Sequence, residues 1–153
     1  MMFDVRVQLQ TFDPEQEQRA LREALPGIGA MVSFVGILRD LNHGQAVHEM
    51  VLEHYPGMTE KVLHQLLEEA RARWSLAGGR IIHRVGALHP TDAIVLVVTA
   101  STHRSDAFRA CEFLIDALKT QAPFWKRELT PAGPRWVQTR EQDALSAARW
   151  KSG

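Results

Sequence analysis

Apolar and polar positions alternate at the start of the chain. Phe3, Val5, Val7 and Leu9 are interleaved with Asp4, Arg6, Gln8 and Gln10. Period two with one apolar face predicts a half-buried strand. Asp13-Pro14 then predicts a helix, with Asp13 as N-cap and Pro14 in the first turn. Leu21 and Leu25 fall on its inner side, and Pro26-Gly27 end it. GAMVSFVGIL (29–38) reads as an apolar strand, followed by the loop RDLNHG (39–44). AVHEMVLEHY (46–55) alternates again, so these two runs are expected to pair as a hairpin. After Pro56-Gly57 an amphipathic helix is expected over 58–74, with Val62, Leu66, Leu67 and Ala70 inward. Gly78-Gly79 breaks it. RIIHRVGAL (80–88) predicts a strand, turned by HPTD (89–92) into IVLVVTAS (94–101), a fully buried strand. A third helix is expected over 105–121 with Ser105 as its cap and Pro123 as its stop. FWKREL (124–129) and RWVQT (135–139) then form a short hairpin.

The fold class expected from this order is α+β: a single domain over 1–153, with a mixed or mostly antiparallel sheet and three main helices on one face. The polar tail 140–153 is expected to fray or to pack as a short helix.

Composition narrows the function classes. The 153 residues are 45% hydrophobic and 24% charged, as in globular chains. The formal net charge is zero, which argues against broad nonspecific binding to nucleic acid. Cys111 stands alone, so neither an internal disulfide nor a four-thiolate zinc site can form within one chain. No apolar run approaches the ~18 residues of a membrane span, and the first residues lack a signal-peptide core. A soluble protein of a reducing, cytoplasmic compartment is expected. The neutral total hides an asymmetry. Residues 1–98 sum to −3 and residues 99–153 to +3, and two of only four lysines flank the segment LKTQAPFWK.

The candidate chemistry is cationic. Seven histidines show no helical two-ligand spacing, so no metal site is expected, and His83, between apolar strand neighbours, reads as structural. Cys111 shares a helical stripe with Phe108, Ile115 and Leu118 and reads as buried. Glycine-rich phosphate loops are absent from the sequence. Lys119 lies about 20° from Phe108 at about 100° per residue, at the margin of that stripe. There it would be partly desolvated and primed for acid/base or covalent work, or else a snorkelling lysine at a helix C-terminus. Arg39, His103-Arg104 and Lys126-Arg127 all sit at element ends, where a scaffold displays binding groups. With Phe124-Trp125 beside them, they suggest a pocket for a flat, phosphorylated small molecule.

These residues resemble a known family. GAMVSFVGILRDLNHG (29–44), LEHYPGMTE (52–60), IIHRVGAL (81–88) and VVTASTHRSDAFRACEFLIDALKTQAPFWKRE (97–128) are together similar to the large, catalytic subunit of molybdopterin synthase. The resemblance implies a sulfurtransferase. It would place two sulfurs on cyclic pyranopterin monophosphate to form the molybdopterin dithiolene. The sulfur would arrive as a thiocarboxylate on the C-terminal Gly-Gly of a small ubiquitin-like carrier subunit. The resemblance also implies a homodimer, a heterotetramer with the carrier, a pocket that borrows residues across the dimer, and no cofactor. On this basis Lys119 and Lys126 are the expected catalytic residues. Ile37, Leu38, Arg39, His103, Arg104, Arg127 and Glu128 join them in binding substrate. Leu38 stands where valine is expected and Arg127 where lysine is commoner, and the tail 139–153 is the least family-like part. A non-catalytic module that binds a ubiquitin-like partner is the alternative, and it would be expected to lose the lysines or Arg39. A regulatory nucleotide-binding dimer is a third.

Overall fold

The computed structural model describes residues 2–42, 45–46, 49–131, 133–136 and 141–151. Its centre is a four-stranded sheet in the order β1 (Phe3–Gln8), β6 (Gly78–Arg84), β8 (Ala93–Ser101), β2 (Ala30–Ile37). β1 runs parallel to β6, and the other pairings are antiparallel. From Val95 to Ser101 every residue of β8 is buried. A strand without a polar face must be covered on both sides and paired along both edges. β6 and β2 supply the edges.

Helices cover the two faces separately. α2 (Met58–Arg73) and α3 (Arg104–Gln121) lie on one face, where Leu63, Leu67 and Leu114 meet Val5, Ile81 and Val97. α1 (Pro14–Ala24) lies on the other, burying Leu21 and Leu25 against Ile82, Leu96 and Val98. The expectation of helices on one face is therefore corrected: β8 and β6 are buried on both sides and need both covers. Asp13 caps α1 as expected, its carboxylate accepting from the Glu15 and Gln16 amides at 3.0 and 3.3 Å. The cap expected at Ser105 is instead at His103, whose side chain makes no capping bond.

A second antiparallel sheet runs in the order β10 (Gly133–Trp136), β9 (Phe124–Thr130), β5 (Glu49–His54), β7 (Gly86–Leu88). Leu38, Met50, Leu52, Val85 and Leu88 form its core. The hairpin expected between 29–38 and 46–55 does not form. β2 pairs with β8, whereas β5 pairs with β7 and β9. The intervening chain makes its own small ladder, β3 (Leu41–Asn42) with β4 (Gln45–Ala46), on the way to the second sheet. β8's need for a second edge partner outweighs pairing between neighbours in sequence. The strand expected over 80–88 is divided for a related reason. Its first part belongs to the central sheet and its last part to the second, and Gly86 makes the turn with φ +88°, a conformation that favours glycine.

The C-terminal tail adds α4 (Glu141–Ala148), packed against α3. Asp116 on α3 is buried and accepts from Arg149 Nε and Nη2 at 3.2 and 2.7 Å and from Trp150 Nε1 at 2.6 Å. Trp150 completes an aromatic trio with Trp74 and Phe113, the ring centroids 5.4 to 5.7 Å apart. Replacing Asp116 with Ala strands the Trp150 N–H and removes the ionic anchor. Asp116→Ala is expected to cost about 1–2 kcal/mol of stability. It should also raise amide exchange in residues 145–151 well before the central sheet is affected, as hydrogen-exchange mass spectrometry would measure.

Candidate functional site

The expected site residues fall into two groups at opposite ends of the central sheet. β8 runs from Ala93 to Ser101, and α3 returns antiparallel above it. The C-terminus of α3 therefore lies near the start of β8. β2 and β6 bring their own ends to the same place, because Ile37 pairs with Ala93 and His83 with Val95. At this end lie Ile37, Leu38, Arg39, Lys119 and Lys126.

Leu38 is buried, and its backbone is held on both sides. Its N–H donates to the Asp92 carbonyl and its carbonyl accepts from Thr91 N–H, both at 2.9 Å. Arg39 then leaves the core and is exposed. Lys126 sits on β9 opposite Leu52 of β5, half-buried. The backbone of Arg127 and Glu128 follows it along β9, paired with Trp136 and Arg135, while their side chains lie outside the described residues. His43 and His48 also lie outside them.

Lys119 differs from its expected setting. Phe108 is 60% exposed, so it does not mark the inner stripe of α3. The buried residues are Ala107, Ala110, Cys111, Phe113, Leu114, Asp116, Ala117 and Leu118, and Lys119 lies outside this set and is exposed. Phe113, not Phe108, is the buried aromatic of this helix.

His103 and Arg104 occupy the other end, at the N-terminus of α3. From Arg104 to Lys119 the helix advances about 22 Å, at about 1.5 Å per residue. One chain therefore does not gather all the expected residues into one pocket.

The lysine end contains groups that the sequence pattern did not assign to the site. His83 is only 7% exposed. Its ring stacks on Phe124, with centroids 3.9 Å apart and planes 23° apart. Its Nδ1 lies 2.9 Å from the Arg84 carbonyl. A carbonyl only accepts, so Nδ1 carries the proton in this contact. Burial pushes the His83 pKa down to about 3, and the positive charges of Lys126 and Lys119 press it in the same direction. Phe124 is itself placed by Thr59, a buried residue of α2 whose hydroxyl donates to the Pro123 carbonyl at 3.2 Å and accepts from Tyr55 N–H at 2.9 Å. The one available signal in the sequence was period two: Gly79, Ile81 and His83 share the face of β6 that points toward α2 and α3. Phe124 and Trp125 diverge, as neighbours on a strand must. Phe124 turns in against His83, and Trp125 turns out beside Tyr55 at 5.9 Å.

Cys111 is unsuited to nucleophilic work. It is buried, its Sγ lies 4.0 Å from the Val97 carbonyl, and burial pushes its thiol up to about 12. Among the described residues, no three His, Cys, Asp or Glu side chains are grouped as metal ligands.

Known proteins share this fold. The family model described as MoaE protein matches residues 7–121. The chain belongs to the MoaE family. A relative from Ralstonia nicotianae, named molybdopterin synthase catalytic subunit, is 54% identical over 146 residues, covering 95% of this chain and 83% of the relative. One of the same name from Escherichia coli K12 is 55% identical over 122 residues, covering 80% and 81%. Among solved structures, a molybdopterin biosynthesis MoaE protein from Burkholderia ambifaria superposes with a TM-score of 0.84 at 52% identity, covering 97% of this chain and 98% of that one. A molybdopterin synthase from Staphylococcus aureus reaches 0.79 at 32% identity, covering 87% and 96%. The MoaE match thus spans both ends of α3 and the whole of β2, β6 and β8, and ends before β9.

The His83 shift has a sign that can be checked. Its folded-state pKa of about 3 lies below the ordinary 6.5, so between these values the unfolded chain binds a proton that the folded chain does not. This contribution to stability is complete above about 6.5 and is lost as the pH falls toward about 3. Chemical denaturation across that window is expected to show a steeper acid loss in the natural chain than in His83→Asn, which cannot titrate there.

Proposed function

We propose that the chain is the catalytic subunit of a molybdopterin synthase. It transfers two sulfurs from the thiocarboxylated C-terminus of a small ubiquitin-like carrier to cyclic pyranopterin monophosphate. The observation that carries this reading is the cationic end of the central sheet. Arg39, Lys119 and Lys126 are gathered there, while the chain's single cysteine is buried away as a neutral thiol. An enzyme whose reactive sulfur arrives on another protein needs positive charge to receive two anions, and needs no thiol of its own. The names of the Ralstonia and Escherichia relatives support the same reading.

In this reading the exposed Lys119 meets the incoming thiocarboxylate. It moves the proton or activates the acyl-linked intermediate. Lys126, half-buried on a rigid strand, binds substrate and assists. Arg39, with its backbone fixed through Leu38, holds the phosphate or the pterin. Ile37, Leu38, Arg127 and Glu128 flank these groups. The reaction takes place in the cytoplasm. No helix among the described residues is long and apolar enough to cross a membrane.

His103 and Arg104 enter the site from a second copy. β2 is an edge strand that exposes Phe34 at 36% and Ile37 at 49%, and α3, packed beside it, exposes Phe108. An apolar edge with unpaired backbone groups is suited to a self-complementary partner. A homodimer through this edge, with one carrier subunit on each protomer, brings the α3 N-terminus of one chain to the lysine end of the other.

Two experiments test the reading. Lys119→Ala is expected to abolish formation of dithiolene product from pterin and thiocarboxylated carrier while the chain still folds and dimerises; near-normal turnover would remove the catalytic assignment. Co-expressing Lys119→Ala with Arg104→Ala chains, each inactive alone, is expected to restore about a quarter of natural activity, because half the dimers are mixed and each mixed dimer keeps one intact site. No restoration would place both residues in sites of the same chain.

A further inference from the structure

His83 is expensive to bury and is not needed as filler, because Val or Ile would close the seam between the two sheets without a polar group to satisfy. Its position gives it another use. It is the last inward-facing residue of β6, at the point where the chain leaves the central sheet for the second one. Its ring lies against Phe124, which begins β9 two residues before Lys126 and on the same face of the strand. Phe124 also stands five residues after Lys119. The imidazole therefore braces the short segment that joins the two lysines.

The charged and titratable groups around it come from three elements: Lys119 on α3, Lys126 on β9 and His54 on β5. Its strand partners, Val7 on β1 and Val95 on β8, carry no charge. Since Nδ1–H is committed to the Arg84 carbonyl, the tautomer leaves Nε2 as a bare acceptor. An acceptor without charge suits a site whose other groups are ammonium and guanidinium donors.

We propose that His83 is a positioning residue for sulfur transfer, its stacked ring and Nε2 lone pair together holding the lysine ammonium groups in register with the substrate. The proposal rests on the assignment of Lys119 and Lys126 to the site. Losing the ring or the acceptor loosens the lysines against the substrate, so turnover should fall while substrate binding is kept.

The test uses the complete enzyme, with thiocarboxylated carrier and pterin, and two substitutions. His83→Phe keeps the stacked ring and removes both nitrogens. His83→Asn keeps a side-chain N–H for the Arg84 carbonyl and removes the ring and Nε2. Both are expected to lower kcat by about tenfold to a hundredfold with little change in KM. If either variant, folded by circular dichroism, keeps natural kcat, the proposal is overturned. The 15N resonances of His83 in the natural chain test the tautomer without any substitution. A protonated Nδ1 and a bare Nε2 are expected, and a proton on Nε2 overturns the proposal even if both variants fail to fold. Lys119→Ala measured alongside separates the two levels. Full activity there removes the site assignment, whereas an inactive Lys119→Ala with fully active His83 variants removes only the role of His83.

Discussion

The complete burial of β8 is the constraint from which the rest of the architecture follows. A strand that is apolar on both faces cannot lie at an edge or face water. It requires a helical layer on each side and a paired strand along each edge. α1 and the α2–α3 pair supply the layers, and β6 and β2 supply the edges. The recruitment of β2 as an edge partner removes it from β5, and β5 is then free to nucleate the second sheet. Because α3 must return over β8, its two ends are placed at the two ends of the strand. The positions of the lysines and of His103-Arg104 are thus consequences of how one hydrophobic strand is covered.

The same geometry keeps the two groups of expected site residues apart within one protomer. A helix of eighteen residues separates its first and last turns by more than any side chain can reach. Charges placed at both ends serve either two separate sites or one site shared between copies. The exposed Phe34 and Ile37 on the edge strand favour sharing, because an apolar edge left in water invites pairing. The basic residues behind the C-terminal +3 are likewise dispersed, among them Arg104 and Lys119 at the two ends of α3 and Lys126 on the strand after it.

Local patterns are legible in the sequence wherever a local rule decides the outcome. Asp13-Pro14 starts α1, and Pro123 precedes β9. The alternation of Phe3, Val5 and Val7 becomes β1, and the unbroken apolar run of β8 becomes the buried centre. Features that depend on distant partners are not legible in this way. Proximity in sequence favours pairing of β2 with β5, and β8's need for two neighbours overrules it. Phe108 suggests one phase for α3, yet the helix buries Phe113 with its alanines and leaves Phe108 outside. The candidate cationic residues are recognisable by their resemblance to a family. Their division between two ends of the fold emerges only when β8 and α3 are laid side by side.

His83 shows how much of a polar residue's role its sequence neighbours leave unsaid. Apolar residues on either side point to burial, and it is buried. A hydrogen-bonded core histidine is a common outcome of that pattern, and nothing local distinguishes His83 from one. Three-dimensional placement adds what the sequence omits: the partner of Nδ1 is a backbone carbonyl, the ring's neighbour is Phe124, and the charges that act on it are all positive. A protonated imidazole there would add a further cation to a crowded cationic end. The neutral form instead offers a lone pair among donors and leaves the net positive charge to the lysines and Arg39. In such a site an uncharged acceptor stabilises the arrangement of cations that an anionic substrate must meet, and burial is the means by which the fold keeps that acceptor uncharged.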